Sequence, residues 1–381
     1  MHEAGRLVVF SGGGTGGHLY PALALASALR RACPDVRATF LGAARGIEAR
    51  VLPERGEAHL LLPVRGFARG GGVRANLGVP GALLRSLWLT LRWFRVLRPE
   101  LVVVTGGYAG APAGMVAAAM GIPLVLQEQN AVPGLTTRLL ARRAREVHVA
   151  FPEVRERLPE RARARVRDTG NPVLPPAPCG RAAAREALGL DPALPTVLVV
   201  GGSQGSAALN HAVTGMVREC GPTAPFQLLW STGPRHRDAV AAELAPEVPA
   251  WVHIRGFIDD MPLALEAADL AVSRAGAMAT SEFLAWGLPA ILVPLPSAAA
   301  DHQSRNAAAL ERAGCALHLP EAGLTGRALR EGVEAVLADE SRRGGMAERA
   351  RARGRPGAAD AVAGALARIL GCGAGDGEVA S

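Results

Sequence analysis

The sequence predicts an α/β protein built from two doubly wound parallel-sheet domains that face each other across a cleft. Three observations carry this. Short apolar, β-branched runs alternate with Ala- and Leu-rich helical stretches along the chain, the pattern of a parallel sheet covered on both faces. A Pro-rich segment at 168–178 breaks the alternation near the middle and reads as a hinge. The halves on either side echo each other: Met120-Gly121-Ile122-Pro123-Leu124-Val125 and Trp286-Gly287-Leu288-Pro289-Ala290-Ile291 both read as helix end, glycine cap, proline and new strand.

The length of 381 residues suits two cores rather than one, and an aromatic content of 4% requires them to be built from Ala, Val and Leu. The chain runs almost at once into an apolar run at 7–10, without the basic region and apolar core of a secretory signal. Further strands are predicted in the first half at 38–41, 101–105, 123–126 and 146–149. In the second half they fall at 196–200, 227–230, 251–254, 270–272, 290–293 and 316–319. The division that follows is an N-terminal domain at 1–168 and a C-terminal domain at 169–355. A helix at 356–370, free to return to the first domain, and a flexible Gly-rich tail at 371–381 complete it. The longest apolar stretch, 110–126, contains Pro112, Gly114, Gly121 and Pro123, so it reads as helix, turn and strand rather than a membrane span.

Three glycine-rich loops fall at carboxyl ends of predicted strands, the edge where open α/β sheets bind ligands. The first, Ser11-Gly12-Gly13-Gly14-Thr15-Gly16-Gly17-His18, opens a helix. Glycines there let backbone approach a phosphate, and the helix start supplies unpaired N–H groups. A dinucleotide site would want an acid after the second strand, but the sequence there reads Gly42-Ala43-Ala44-Arg45, which disfavours nicotinamide chemistry. The second loop is Gly201-Gly202-Ser203-Gln204-Gly205-Ser206 and the third Thr105-Gly106-Gly107-Tyr108. Polar clusters follow other strands: Gln127-Glu128-Gln129-Asn130, Ser273 through Glu282, and Asp301-His302-Gln303 with Asn306. His18 stands at the mouth of the first loop, and histidine is the side chain type most suited to proton transfer near neutrality.

Composition closes several routes. No lysine is present, so neither a P-loop lysine nor a Schiff base is available, and arginine carries the excess charge of +8. No D-x-D, H-E-x-x-H or spaced carboxylate cluster marks a metal site, so no metal and no cofactor are expected. Five scattered cysteines without a C-x-x-C pair predict neither a disulfide framework nor a zinc knuckle, and fit a reducing compartment. No nucleic-acid-reading module is present. In the helix predicted at 76–97, Leu84, Leu87, Trp88 and Leu91 share one face, with Arg85 and Arg92 on another. Arg95 and Arg98 follow, and Arg65, Arg69 and Arg74 lie just upstream. That face suits either the covering of a sheet or an anionic membrane surface.

Read together, the motifs resemble one family from end to end, the MurG family of bacterial peptidoglycan glycosyltransferases. They are Gly13–His18 (G-G-T-G-G-H), Gly106–Tyr108 (G-G-Y), Glu128–Asn130 (E-Q-N) and Gly170–Val173 (G-N-P-V). Gly201–Gly205 (G-G-S-Q-G), Phe257–Met261 (F-I-D-D-M), Ser273–Ala277 (S-R-A-G-A), Ser281–Glu282 and Asp301–Ala307 follow in order. The resemblance implies a GT-B fold of two Rossmann-like domains. It implies an inverting transfer of N-acetylglucosamine from UDP-N-acetylglucosamine to lipid I (undecaprenyl-diphosphate-linked muramoyl pentapeptide), forming lipid II at the cytoplasmic face of the membrane. It places Thr15, Gly16 and Gly17 on the donor sugar and diphosphate, with Asn130 near the sugar and Tyr108 on the acceptor side. Ser203 falls on phosphate, Ile258 on uracil through its backbone, Glu282 on the ribose hydroxyls and Gln303 on the sugar hydroxyls. Ala277, Met278, Ala279, Thr280 and Ser281 line the same pocket. Two positions depart from the family: Leu174 stands where Arg is usual, and Gln127 where many relatives have His, leaving His18 and Glu128 as candidate catalytic bases. The alternatives are a UDP-N-acetylglucosamine 2-epimerase, a transferase to another acceptor, a nicotinamide enzyme and a non-catalytic membrane module.

Overall fold

The computed structural model describes residues 5–66 and 76–372. The predicted tail beyond 372, and Arg69 and Arg74, lie outside these. Two compact units form. One comprises the chain up to Val173 together with the segment after Gly357, and the other spans Leu174–Pro356. The change of unit falls inside the Pro-rich segment, five residues later than the 168/169 division, because Asn171 and Val173 are buried in the first unit.

The first unit holds a seven-stranded sheet in the order β3-β2-β1-β4-β5-β6-β7, with every pairing parallel. Its strands are β1 (Arg6–Gly12), β2 (Val36–Ala43), β3 (His59–Leu62), β4 (Leu101–Gly106), β5 (Leu124–Glu128), β6 (Glu146–Val149) and β7 (Val166–Asp168). The second unit holds six parallel strands in the order β10-β9-β8-β11-β12-β13. These are β8 (Thr196–Val200), β9 (Gln227–Ser231), β10 (Val252–Arg255), β11 (Leu270–Ser273), β12 (Ala290–Leu292) and β13 (Ala316–His318). Sequence patterning missed β3 and β7. Both are edge strands, and β7 is three residues in an Arg-rich stretch, too short for periodicity to register.

In each sheet the strand order reverses once, between β1 and β4 and between β8 and β11. Connections leaving two such neighbours part to opposite sides and open a crevice at their carboxyl ends, where ligands bind in open α/β sheets. The first and third glycine loops leave β1 and β4, and the second loop and the 273–282 cluster leave β8 and β11. Topology thus gathers scattered sequence motifs at two sheet edges.

The C-terminal helix, Ala358–Leu370, belongs to the first unit. Val362, Ala363, Leu366 and Leu370 join Leu25, Leu29 and Phe40 in one apolar cluster. Its end meets the end of helix Gly16–Ala32, and there Cys33 and Cys372 form a disulfide. This corrects the expectation of unpaired thiols. The partners are 339 residues apart, and no local spacing could have shown that the topology brings their Cα atoms within 6.0 Å. Cys33, Asp35 and Cys372 are also the one set of His, Cys, Asp or Glu side chains at metal-ligand spacing among the described residues.

Helix Val79–Leu97 inverts the usual pattern. It buries Ser86 and Thr90, whose hydroxyls donate to the carbonyls of Ala82 and Ser86, and Phe94, against the Ala- and Gly-rich helix Gly107–Met120. Small side chains let the two backbones approach closely. Leu84 and Trp88 point outward, 68% and 54% exposed, and the Arg92 guanidinium lies over the Trp88 ring. No described helix is long and apolar enough to cross a membrane.

Candidate active site

On the first unit, β1 ends in the glycine loop and Thr15 begins helix Gly16–Ala32, with its carbonyl accepting from the amides of His18 and Leu19. His18 therefore sits in the first helical turn. Its Nδ1 is 3.0 Å from the carbonyl oxygen of Thr105 and 2.9 Å from Oε1 of Gln129. Both partners accept, because the Gln129 amide nitrogen donates elsewhere, to the Thr105 carbonyl at 2.7 Å. Nδ1 thus carries the proton, and Nε2 of the neutral ring is left as an acceptor. Gly106 and Gly107, at φ 94° and 71°, bring the start of the next helix against this ring, where a Cβ would lie 3.2 and 3.0 Å from it, and one on Gly107 would overlap the Gly13 carbonyl. Tyr108 packs over Gly14 from the same helix start, and burial pushes its phenol up, with Glu48 adding to the rise.

Glu128 is placed differently from a base. It is 3% exposed. One carboxylate oxygen accepts from the Asn130 amide at 3.2 Å; the other accepts from the Gly134 amide at 2.9 Å and the Thr137 hydroxyl at 2.6 Å. The group shapes the turn that presents Asn130. Gln127 lies fully within the unit and donates to Asn171, whose own amide donates to the Gln129 carbonyl. The G-N-P-V motif thus braces the strand end that positions Gln129 against His18. Leu174, at the head of the second unit, is 74% exposed.

On the second unit, a cavity of about 480 Å³ opens beside the second glycine loop, lined by Gly201, Gly202, Gly205, Ser206, Arg274, Gly276, Ala279 and Gln303 among others. Helices Ala207–Cys220 and Ala277–Trp286 both begin there, so two helix starts offer N–H groups to an anion. Arg274, almost fully buried, donates to the Ser206 hydroxyl, which also caps the first of these helices. The same guanidinium donates to the carbonyls of Val293 and Pro294 and pairs with Glu321. It ties the ends of β8, β11 and β12 together. Nothing local in the S-R-A-G-A motif shows where so long a side chain as Arg274 reaches, so this role is not legible in the sequence.

Of the residues predicted on the donor side, Ala279 and Gln303 line the cavity directly, and Oε1 of Gln303 accepts from the Leu295 amide. Glu282 lies three residues beyond Ala279, on the same helix face one turn deeper. Among the described residues it makes no hydrogen bond or ion pair, and burial pushes its carboxyl up to about 7. Thr280 is buried and donates to the Gly276 carbonyl, holding the helix start in shape. Ser203 is exposed on the loop, and Ile258 is buried beyond β10. Ala277, Met278 and Ser281 lie along the same short helix without lining the cavity.

The two halves match the glycosyltransferase family 28 N-terminal domain over residues 8–149 and C-terminal domain over residues 196–362. A protein of Chlorobaculum tepidum named UDP-N-acetylglucosamine–N-acetylmuramyl-(pentapeptide) pyrophosphoryl-undecaprenol N-acetylglucosamine transferase is 40% identical over 359 residues, covering 93% of this chain and 97% of its own. The chain belongs to the MurG family of glycosyltransferases. A second relative of that name, from Chlorobaculum parvum, is 42% identical over 94% of this chain and 98% of its own. The crystal structure of Acinetobacter baumannii MurG superposes with a TM-score of 0.77 at 29% identity, covering 95% of this chain and 99% of that one. The paired parallel sheets are thus those of the GT-B transferases. In this chain the glycine loops fall at the carboxyl edge of each sheet.

Proposed function

We propose that the chain transfers N-acetylglucosamine from UDP-N-acetylglucosamine to the 4-hydroxyl of the muramoyl sugar of lipid I, with inversion, forming lipid II. The observation that carries this is the near full-length match to relatives bearing that transferase name. In this reading the second unit holds the donor. Glu282 accepts the ribose hydroxyls, Gln303 meets the sugar hydroxyls, and the amides at the two helix starts, with Ser203, offset charge on the departing UDP without a metal. Ile258 offers its backbone to uracil.

The first unit receives the acceptor. His18 is its base, because Nε2 is an acceptor while Nδ1 is held by a carbonyl, whereas both oxygens of Glu128 are engaged. The 4-hydroxyl gives its proton to Nε2 as its oxygen attacks the anomeric carbon and UDP leaves on the opposite side, which converts an α-linked donor into a β-linked product. Thr15, Gly16 and Gly17 meet the donor sugar and diphosphate, with Asn130 near the sugar and Tyr108 on the acceptor side. The outward Leu84 and Trp88, with Arg85, Arg92 and Arg95 beside them, rest on the anionic cytoplasmic face of the membrane, where the lipid acceptor resides.

The test is radiolabelled UDP-N-acetylglucosamine with a lipid I analogue, with and without chelator. Chelator-insensitive label in the lipid product supports the reading. Consumption of the donor with no acceptor present would instead assign an epimerase.

A further inference from the structure

Glu48 was not singled out by any motif, yet it lies at the centre of the first glycine loop. It begins helix Glu48–Glu54 and is fully buried. Its carboxylate accepts from the Gly14 amide at 3.1 and 3.0 Å and from the Ala43 amide at 2.7 Å. Gly13, Gly42 and Gly46 surround it, and a Cβ on any of the three would overlap its side chain. Three glycines from two separate places in the chain therefore clear room for one carboxylate. On the other side of Gly14, at φ 87°, lies the Tyr108 ring.

We infer that Glu48 is a positioning residue: it pins the loop through the Gly14 amide, and so sets where Thr15–Gly17 and the His18 ring present themselves to substrate. The amide of Gly14 is consumed internally. The amides left for an anion are those of Thr15, Gly16 and Gly17, which the geometry of a helix start leaves without intrahelical acceptors. The pin also fixes His18, which follows in the first turn of the same helix. A shift of about 1 Å in such a group costs on the order of a hundredfold in rate. The inference rests on the transferase reading above.

The experiment compares E48Q and G42A with the parent. Glutamine keeps one acceptor oxygen but turns an N–H₂ toward an amide N–H. G42A leaves the carboxylate intact and displaces it, since the new methyl overlaps the Glu48 side chain well away from the loop. Both should lower kcat by roughly tenfold or more, while UMP, a probe of the second unit, binds within about twofold of the parent. A further readout needs no turnover. The chain has two tyrosines, so a Y20F background isolates Tyr108. Its ionisation, raised first by burial and then by Glu48, should move down in E48Q. Should E48Q fail to fold, G42A decides. A kcat within twofold of the parent in either folded variant overturns the inference. So does a loss of kcat accompanied by loss of UMP binding, or an unchanged Tyr108 titration. Turnover by the parent tests the transferase reading; the ratio of variant to parent tests this one.

Discussion

Replacing Glu282 by Gln should change how nucleotide binding responds to pH. Burial raises this carboxyl to about 7. A carboxylate that accepts ribose hydroxyls must be ionised, so below that value part of the binding free energy goes into removing its proton. At about pH 8 the group is ionised and the effect is small; at about pH 6 roughly nine-tenths is protonated, and binding weakens about tenfold, since one pKa unit is worth about 1.4 kcal/mol. Loss of hydrogen bonds to a charged group costs about 1.5–3 kcal/mol, so E282Q should bind UDP roughly ten- to a hundredfold less tightly at the higher pH. Near pH 6 that gap should close by about tenfold. Titration calorimetry on both proteins at the two pH values gives the ratio of dissociation constants, in which ionisation of UDP itself cancels. A ratio that stays constant, or widens on acidification, would refute the assignment of Glu282 to the ribose. The same shift has a stability consequence. The folded value lies above the ordinary one near 4.5, so the group's stabilisation is complete below about 4.5 and is lost as pH rises through about 7. E282Q should therefore gain on the parent in melting temperature between pH 5 and pH 8.

His18→Ala should lower kcat by about a hundredfold or more, with UDP affinity on the second unit unchanged; turnover within a few-fold of the parent excludes it as the base. Replacing Leu84 and Trp88 together by Glu should abolish sedimentation with vesicles rich in anionic lipid, yet leave turnover of a short-chain soluble acceptor analogue intact. Loss of both activities alike would show that the face supports the fold rather than a bilayer. C372S should lower the first unit's stability under oxidising conditions by roughly 2–4 kcal/mol and leave it unaltered in reductant, as denaturant melts in the two conditions will show.

Much of this was legible in the chain because the ligand edge of a parallel sheet is written locally. A β-branched run followed by glycines marks the strand end, and a small-residue helix start marks the anion-facing turn, as at Gly12–His18 and Gly201–Ser206. What escaped was long-range. Glu48, Arg274 and Gln127 act through partners 34, 68 and 44 positions away, chosen by sheet order. The role of Glu128 escaped for the opposite reason. Its polar neighbours looked like a site, but the Gly134 amide and the Thr137 hydroxyl claim the carboxylate for the turn. On helix Val79–Leu97 the apolar pattern was visible, but which face is buried depends on the small residues of its neighbour, and the buried side proved to be Ser86 and Thr90.

The return of helix Ala358–Leu370 to the first unit orders events on the ribosome. Synthesis proceeds from the amino end, yet Leu25 and Leu29 wait for Val362 and Leu366 to bury them, and these emerge only after the whole of the second unit. The nascent first unit must therefore stay incomplete while the later one matures, and a messenger truncated just before codon 358 would yield a finished second unit attached to an aggregation-prone partner.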